Sequence, residues 1–370
     1  MTRKLVLALL FGGRSSEHSV SCATAGGVLA AIDRDRYEVV PVGITRDGAY
    51  VLEDDDADRF ALNSALHDAD ALPTVVDNGT RVLWPQDALS RTLTVLDASG
   101  SEIARHELDV VFPILHGPWG EDGTVQGMLE LVGLPYVGSG VLASALGMDK
   151  HFTKTVLQHA GLPVAPWTTV TALDWLHDEQ RVREAAAALG SPVFVKPARA
   201  GSSVGVSKVT GADELGDAVR IAFEEDDKLL IESAVVGREV EIAVLGGRPG
   251  EPTRASVAGE IVVSGRDFYD FAAKYLDAPG IDLVCPAQLS DDDLSTMQDL
   301  AVRAFDALGC EGLARVDFFL TDDGFVINEI NTMPGFTPIS MFPRCWAETG
   351  LSYPALIDEL VQTSLSRVSA

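Results

Sequence analysis

The alternation of apolar runs and amphipathic segments predicts a strand–helix–strand order at the start of the chain. Leu5 to Phe11 is a continuous apolar run typical of a buried parallel strand, Ser21 to Ile32 is predicted as a helix, and Tyr37 to Ile44 as the next strand. A further buried strand is predicted from Leu108 to Leu115, followed by a helix from Thr124 to Val132. This order indicates an α/β protein whose N-terminal domain, residues 1–138, is a doubly wound parallel sheet.

The pattern after residue 138 predicts two smaller units with α+β character. A central unit over residues 139–231 contains an amphipathic helix from Phe152 to Ala160 and strands from Pro192 to Pro197 and from Ser203 to Val209. A C-terminal unit over residues 232–370 contains alternating runs from Glu239 to Leu245 and from Ala255 to Val263, which predict antiparallel strands. The chain therefore divides into three predicted parts.

Two segments have no clear period. Residues 53–72 are acidic and rich in small residues, so we expect a surface excursion there. The span from about residue 264 to 285 is long for an irregular connection inside a compact domain. We therefore predict that it is a lid loop over an active site.

A predicted hairpin brings acidic residues together near the end of the chain. Two β-favouring runs, Arg315 to Leu320 and Phe325 to Asn331, are separated by a short polar segment that ends in Gly324. If the loop has three residues with Gly324 in the left-handed conformation, Asp317 lies directly opposite Glu329. Strand side chains alternate between faces, so one face would then carry Arg315, Asp317, Glu329 and Asn331.

Two carboxylates placed side by side repel each other unless a cation or a shared proton lies between them. Magnesium binds one or two carboxylates together with substrate phosphates, so Asp317 and Glu329 are candidate metal ligands. The alternative is an edge hairpin with a solvated polar face. Pro334-Gly335 follows at once and could direct backbone N–H groups at a ligand, which favours a site.

Composition limits the classes of function. The 370 residues carry a net charge of −27, which opposes binding to nucleic acid or to an anionic membrane surface. The four cysteines lack zinc-site spacing, which is typical of reduced thiols in a cytoplasmic protein. The basic, apolar start of the chain is too short for a signal peptide, and no run approaches the roughly 20 apolar residues of a membrane helix. A small anionic ligand would need local positive charge.

A glycine-rich segment supplies such charge beside a flexible loop. Lys196-Pro197 is followed by Gly201-Ser202-Ser203-Val204-Gly205, whose N–H groups could approach oligophosphate without a Cβ in the way. The segment also matches G-x-S-x-G, in which Ser203 would be a serine-hydrolase nucleophile. Such hydrolases have the order serine, acid, histidine along the chain. All seven histidines here precede residue 178, so the sequence does not fit this assignment. A dinucleotide-like Gly138-x-Gly140 match has no convincing strand before it.

These residues carry a resemblance that extends over nearly the whole chain. The chain resembles D-alanine–D-alanine ligases of the ATP-grasp superfamily, with the matching blocks in family order. The blocks are Gly12-Gly13-Arg14-Ser15-Ser16-Glu17, His116-Gly117, Gly120-Glu121-Asp122-Gly123, Met148-Asp149-Lys150, Lys196-Pro197, Gly201 to Gly205, Asp270 with Ala273-Lys274-Tyr275, Arg315-Val316-Asp317, and Asn328 to Gly335.

The resemblance implies an ATP-grasp fold and a specific reaction. ATP would phosphorylate the carboxylate of one D-alanine, and the amine of a second D-alanine would displace phosphate to give D-alanyl-D-alanine for peptidoglycan. Two magnesium ions, with manganese able to substitute, would be held by Asp317, Glu329 and Asn331. The implied ATP-binding residues are Lys150, Lys196, Ser202, Ser203, Glu232, Val235, Glu239 and Lys274.

The resemblance also implies roles for residues around the amino acids. Glu17, Ser202 and Tyr275 would form a hydrogen-bonded catalytic group, and Arg315 with the Gly335 N–H would stabilise the oxyanion. The substrates would be bound by Glu17, His116, Lys274, Ser340 and Met341. A family member of this kind would be a cytoplasmic homodimer.

Alternatives remain at this stage. Without the resemblance, Glu232 and Glu239 are ordinary strand-end charges, His116 is a structural histidine and Glu17 is an acid at a helix start. The second substrate could be D-lactate or D-serine, although Ala273-Lys274-Tyr275 resembles the dipeptide-forming members. A non-catalytic nucleotide-binding regulatory module is a further alternative, but it predicts changes at Glu17, Arg315 and the metal ligands that are not seen.

Overall fold

A computed structural model describes residues 3–61, 72–263 and 281–368 of the chain. Its first part follows the predicted order: β1 (Leu5–Gly12), α1 (His18–Ala31), β2 (Tyr37–Ile44), β3 (Tyr50–Leu52), a 3₁₀ turn (Asp58–Phe60), β4 (Arg81–Leu83), β5 (Thr92–Leu96), β6 (Glu102–Glu107), β7 (Val110–Ile114) and α2 (Thr124–Leu131). One sheet has the order β3-β2-β1-β7, with β1, β2 and β7 parallel, and β4 to β6 form a small separate sheet.

The apolar run of β1 is buried on both faces because both faces of this sheet are covered. Leu7, Leu9 and Phe11 contribute to a core that includes α1 and the last helix of the chain. Ala8 and Leu10 belong to a second core with α2 and the small sheet. The continuous hydrophobic pattern is therefore explained by a doubly wound domain, and this prediction of fold class is confirmed.

In the predicted surface excursion at residues 53–72, residues 54–56, 58 and 59 are exposed as expected, but two side chains turn inward. Glu53 and Phe60 are buried, and the Phe60 ring packs edge-on against Phe11 at 4.9 Å between centroids. Gly26 of α1 allows the contact, since a Cβ there would lie 2.7 Å from the Phe60 backbone. The acidic composition of the segment gave no indication that Phe60 would be buried. Residues 62–71 lie outside the described part.

The central part forms an antiparallel sheet flanked by helices. Its elements are α3 (Val141–Met148), α4 (Lys150–His159), β8 (Trp167–Thr171), α5 (Ala172–His177), α6 (Glu179–Ala188), β9 (Val193–Pro197), β10 (Ser207–Val209), α7 (Leu215–Glu225) and β11 (Lys228–Ser233). The strand order is β10-β9-β11-β8. The strand predicted from Ser203 begins only at Ser207, because Ser202 and Ser203 both adopt positive φ.

The last part is a five-stranded sheet in the order β14-β13-β12-β15-β16. Its elements are β12 (Arg238–Leu245), β13 (Arg254–Val263), β14 (Ile281–Val284), α8 (Asp291–Leu308), β15 (Leu313–Thr321), β16 (Gly324–Asn331), α9 (Met341–Glu348) and α10 (Tyr353–Val368). Ser290 caps α8 by accepting from the Asp293 N–H, and Gly309 ends it in the left-handed conformation.

The hairpin of β15 and β16 reaches the predicted pairing by a different route. Thr321 pairs with Gly324, so the loop has two residues rather than three. The register then shifts between Asp317 and Phe318, where Asn328 is the extra residue of a β-bulge. The bulge restores Asp317 opposite Glu329. The prediction of the pair is confirmed, whereas the predicted three-residue loop is wrong.

The predicted lid loop at about 264–285 is not irregular throughout. Its last residues form β14, which pairs antiparallel with β13, while residues 264–280 lie outside the described part. Among the helices of the described ranges, none combines the length and apolar character needed to span a bilayer.

Candidate active site

Two adjoining cavities lie between the three parts of the chain. The first, of about 140 Å³, is lined by Glu17, His116, Gly117, Glu121, Lys150, Ser202, Glu241, Arg315, Asn328, Glu329, Asn331, Met333, Gly335, Ser340 and Met341 among others. The second, of about 390 Å³, is lined by Lys150, Lys196, Ser202, Ser203, Glu232, Val235, Glu239, Glu241, Asp317, Asn328 and Glu329 among others. The described residues predicted for amino acids surround the first cavity, and those predicted for ATP surround the second.

Glu17 and Ser202 join the N-terminal domain to the glycine-rich loop. Ser202 Oγ donates a hydrogen bond of 2.5 Å to Glu17 Oε1. Glycines allow this close approach, because a Cβ at Gly117 or at Gly201 would lie only 2.9 or 3.0 Å from Glu17 Oε2. The buried carboxylate of Glu17 is thus held at the N-terminus of α1, where it lines the first cavity.

His116 presents a ring nitrogen to the same cavity. Its Nδ1 lies 3.1 Å from the Met333 carbonyl, which can only accept, so Nδ1 carries the proton. Within the described ranges its buried Nε2 finds no hydrogen-bond partner. Burial lowers the pKa of His116, and Arg315 adds to that effect against the opposing charge of Glu17. The neutral ring therefore offers an acceptor to an ammonium group.

The glycine-rich loop contains two serines in the left-handed conformation. Ser202 and Ser203 have φ values of 51° and 59°, which non-glycine residues seldom adopt outside functional loops. Lys150 Nζ donates 2.7 Å to the Ala200 carbonyl and so holds the base of the loop. Lys196, on β9, directs its ammonium into the second cavity.

Glu232 lines the second cavity, but its carboxylate belongs to a buried ion cluster. Lys154 Nζ lies 3.0 Å from Oε2, and Lys196 Nζ lies 3.1 Å from Oε1. Burial opposes ionisation, yet the two ammonium groups hold the pKa of Glu232 below its ordinary value. Lys154 was missed from the sequence, where it is one of several lysines in an amphipathic helix; no local signal distinguishes it.

A row of three carboxylates crosses the C-terminal sheet where the cavities meet. Glu241 of β12 is paired in register with Asp317 of β15, and Asp317 with Glu329 of β16. Glu241 is the member missed from the sequence, although the alternation of β12 places it on the same face as Glu239. Like charges in adjacent positions are destabilising unless they are compensated.

Arg315 supplies that compensation in this structure. Its guanidinium makes bonds of 2.6 and 2.7 Å to the two oxygens of Asp317 and lies 3.1 Å from Glu241. Burial opposes the charge, but Asp317 and Glu241 outweigh it and raise the pKa of Arg315 well above its ordinary value. Asn331 Nδ2 also donates 3.0 Å to Asp317.

The donor set fits a hard divalent cation by its chemistry. Asp317, Glu329 and Asn331 offer carboxylate and amide oxygens, the ligands that magnesium prefers. Among the residues that the structure describes, no group of three or more acidic, histidine or cysteine side chains converges as a ready-made metal cluster. Asp317 is instead bonded to Arg315, so a metal ion on Asp317 would share this carboxylate with the guanidinium.

Comparison with known proteins decides the family. A profile described as "D-ala D-ala ligase N-terminus" matches residues 6–139, and one described as "D-ala D-ala ligase C-terminus" matches residues 156–362. The chain belongs to the D-alanine–D-alanine ligase family. Its relatives in this family include D-alanine--D-alanine ligases from Paenarthrobacter aurescens, 52% identical over 98% of this chain and 95% of the relative, and from Kineococcus radiotolerans, 53% identical over 98% and 96%.

Solved structures of the ligase family agree with the fold. The D-alanine-D-alanine ligase from Coxiella burnetii has a TM-score of 0.80 and 34% identity, covering 100% of this chain and 96% of that one. The VanG D-Ala:D-Ser ligase from Enterococcus faecalis has a TM-score of 0.82 and 34% identity, covering 98% and 100%. The likeness therefore includes ligases that differ in the second amino acid.

The turn after β16 forms the far wall of the first cavity in this ligase. Gly335 lies close to Ser340, since a Cβ at Gly335 would be 3.2 Å from Ser340 Oγ. Ser340 Oγ lies 2.7 Å from Thr337 Oγ1, and Met341 is buried against Gly259. The predicted residues Lys274 and Tyr275 lie outside the described residues, so their places in the site stay predictions.

Glu121 is a second cavity residue to which no role was assigned from the sequence. Its carboxyl group accepts hydrogen bonds from the Gly117 N–H at 2.8 Å and the Met333 N–H at 3.0 Å. Burial, with the nearby charge of Glu17, raises the pKa of Glu121 to about 8. The Gly-Glu-Asp-Gly block was a signal for this residue, but it carried no indication of a partner more than 200 positions away.

Proposed function

We propose that this chain is an ATP-dependent ligase that joins two D-alanine molecules through an acyl phosphate and supplies a peptidoglycan precursor. The observation that carries the proposal is the pair of adjoining cavities that meet at Lys150, Ser202 and the row Glu241–Asp317–Glu329. An amino-acid carboxylate in the first cavity can face a terminal phosphate in the second only at that boundary.

The first D-alanine binds by its ammonium group to Glu17, and the Nε2 atom of His116 accepts a second hydrogen bond. Both groups are buried in the first cavity, where charge interactions are stronger than in water. The low pKa of His116 keeps the ring neutral, so it does not repel the ammonium. This anchoring leaves the carboxylate directed at the boundary of the cavities.

The triphosphate binds along the second cavity. Lys150, Lys196 and the loop at Ser202 and Ser203 neutralise and bind its oxygens, while Val235 and Glu239 border the nucleoside end. We propose that Asp317, Glu329 and Asn331 hold two magnesium ions, with manganese able to substitute, and the metal would supply charge neutralisation for phosphoryl transfer. Glu232 acts here by holding Lys196 in place.

Arg315 and the Gly335 N–H stabilise the oxyanion that forms when the second amine attacks. Arg315 is buried at the boundary of the cavities, and a donor fixed in a dry site needs little reorganisation. The carboxylate of the second D-alanine then lies toward Ser340 and Met341. Lys274 and Tyr275 complete the predicted set, with Tyr275 joining Glu17 and Ser202.

The test is coupled product formation by the full chain. Purified protein with D-alanine, ATP and magnesium is expected to release one phosphate for each D-alanyl-D-alanine formed. Glu17→Gln should raise the KM for D-alanine, because the ammonium loses its counter-charge. Glu130→Gln, on an exposed position of α2, is the matched control. Absence of both phosphate and dipeptide from folded protein would reject the proposal.

The likeness to a D-Ala:D-Ser ligase favours D-serine as a second candidate acceptor. Its hydroxyl group would need a polar partner at the wall of the first cavity, which Ser340 lines. Competition between D-alanine, D-serine and D-lactate at equal concentration decides between these products. A mixed dipeptide in excess would replace the D-alanine assignment.

We also propose that the ligase is a cytoplasmic homodimer. The support is the family resemblance and the four unpaired thiols of the described chain. Sedimentation of the reduced protein should give twice the mass of 39.3 kDa. A single species at the monomer mass over the working concentration range would contradict the dimer.

A further inference from the structure

Two cysteine side chains meet behind the wall of the first cavity. Cys285 directly follows β14 and Cys345 lies in α9, and their Sγ atoms are 3.6 Å apart. Cys345 is fully buried, whereas Cys285 is half-buried. Leu283 of β14 and Met341 of α9 both line the first cavity, so the thiols bridge two segments of one wall.

The pKa values of the two thiols are shifted in opposite directions. The hydrogen bond between Cys285 and Cys345 lowers the pKa of Cys285 against the opposing effect of burial, and the charge of Arg344 acts in the same direction as the hydrogen bond. The pKa of Cys345 is raised well above its ordinary value by that hydrogen bond and by burial. A partly accessible thiol with a lowered pKa beside a second thiol is the arrangement found in reversible cysteine oxidation.

The other two cysteines lack this environment. Cys22 lies in α1 and Cys310 follows α8, and both are buried. Burial raises the pKa of each thiol to about 12. Thiols of this kind are inert at neutral pH, so the chain contains its own control for oxidation.

We propose that Cys285 and Cys345 form a reversible redox site that responds to hydroperoxides. The Cys285 thiolate attacks the peroxide oxygen, so an S–O bond forms, the O–O bond breaks and the leaving oxygen takes a proton. The Cys345 sulfur then attacks this sulfenic acid; the S–S bond forms, and the hydroxyl leaves as water with the thiol proton. Two thiols lose two electrons in total, and the hydroperoxide gains them.

The disulfide also changes the first cavity, and its effect on ligation rests on the proposed function. The sulfurs must move from 3.6 Å into covalent contact, which draws Cys285 toward α9. Arg344 of α9 already donates 3.1 Å to the Leu283 carbonyl, so β14 and α9 move as connected segments. Ser340 and Met341 begin α9, and their displacement weakens binding of the second amino acid.

The experiment treats the reduced full chain with hydrogen peroxide, then blocks free thiols and maps the peptides by mass. The expected result is one Cys285–Cys345 linked peptide, with Cys22 and Cys310 still blocked as free thiols. Ligation should fall by about tenfold or more, since displacement of a positioning segment by about an ångström has effects of that size. Dithiothreitol should restore both the thiols and the activity.

Variants separate the steps. In Cys345→Ser the sulfenic acid on Cys285 has no resolving thiol and should be trapped by dimedone; Cys345→Ala serves if the serine variant fails to fold. Cys285→Ser should lose the linked peptide and the sensitivity of ligation to peroxide. Cys310→Ser is the matched control and should behave as wild type.

Three outcomes overturn the proposal. The redox site is contradicted if Cys285 and Cys345 are both recovered as free thiols. It is also contradicted if Cys22 and Cys310 are oxidised at the same rate. If the disulfide forms but the ligation rate is unchanged, the proposed effect on the first cavity is contradicted. The peptide map does not depend on catalysis, so failure of the proposed function leaves it readable.

Discussion

Arg315 lies between the carboxylates of Asp317 and Glu241, and only one of them is a predicted metal ligand. Asp317 is a predicted metal ligand, and each of its two oxygens already accepts one N–H bond from Arg315, so a cation there would share the carboxylate with the guanidinium. Glu241, 3.1 Å from the guanidinium, lines both cavities and is not among the predicted ligands. We infer that Glu241 keeps Arg315 positioned when the metal binds Asp317.

Glu241→Gln is therefore expected to lower kcat by about tenfold or more, as loss of a well-placed charge near the oxyanion does. The effect on the KM for ATP should be small, because the phosphate-binding lysines are untouched. The measurement is steady-state kinetics with varied ATP and D-alanine.

Glu260→Gln is the matched control for that variant. Glu260 lies on the same sheet and pairs with Arg238 at 2.7 Å, but the pair is exposed. Exposed pairs contribute only about 0–1 kcal/mol, so kcat should stay within about twofold. Equal kcat values for Glu241→Gln and wild type would show that Asp317 alone positions Arg315.

At the scale of single elements, the bulge in β16 decides which side chains face the site. Ile327 points to the core, and the next two residues, Asn328 and Glu329, are both only partly buried and both line the cavities. One extra residue thus adds an amide to the acidic face, 3.5 Å from Lys196 Nζ, without moving Glu329 from its place opposite Asp317.

Deletion of Asn328 is expected to leave a folded chain, because the regular ladder from Thr321 to Gly324 then places Glu329 opposite Asp317 directly. Deletion of Val326 also leaves Glu329 opposite Asp317, but it moves Ile327 and Asn328 by one position, so that the polar Asn328 replaces Ile327 on the core face. We expect a loss of roughly 1–2 kcal/mol in the free energy of unfolding for the first deletion and more than about 3 kcal/mol for the second. Urea unfolding measures both; equal losses would contradict this role of the bulge.

The same hairpin shows how far the sequence could predict the structure. The period of two was sufficient to predict the strands, whereas the Asp317–Glu329 pair was predicted from a three-residue loop that the structure does not have. The two-residue loop and the bulge were not predictable, because a three-residue loop satisfies the same pattern. Contacts between distant segments were also missed, as with Glu121 and Met333 or Lys154 and Glu232, because chain periodicity reports burial and not partners.

At the scale of the whole molecule, the N-terminal domain and the C-terminal part are joined on both sides of the site. Behind it, α10 packs on the first sheet, and Tyr37 donates 2.6 Å to Asp358. In front, Glu121 binds the N–H groups of Gly117 and Met333 and so ties the loop after β7 to the turn after β16. The first cavity depends on this second connection because both segments line it.

The Glu121 connection is expected to make folding depend on pH. The pKa of Glu121 is raised to about 8 in the folded chain by burial and by Glu17, from an unfolded value near 4.5. Between these values the folded state binds more protons than the unfolded state. The free energy of unfolding therefore loses this contribution as pH rises from about 4.5 to about 8, and keeps it in full below that window.

Glu121→Gln removes the titration and should flatten the decline in unfolding free energy across that window. At pH 5 the variant should be less stable by roughly 1–3 kcal/mol, because its amide nitrogen must face one of the two N–H donors. The difference in the free energy of unfolding between the variant and wild type should narrow by pH 8, because ionisation of Glu121 destabilises the wild type there. Urea unfolding at pH 5, 6.5 and 8 measures this, with Glu130→Gln as the control whose slope should match wild type. Parallel curves for wild type and Glu121→Gln would mean that Glu121 is ionised throughout and that the connection is a purely charged one.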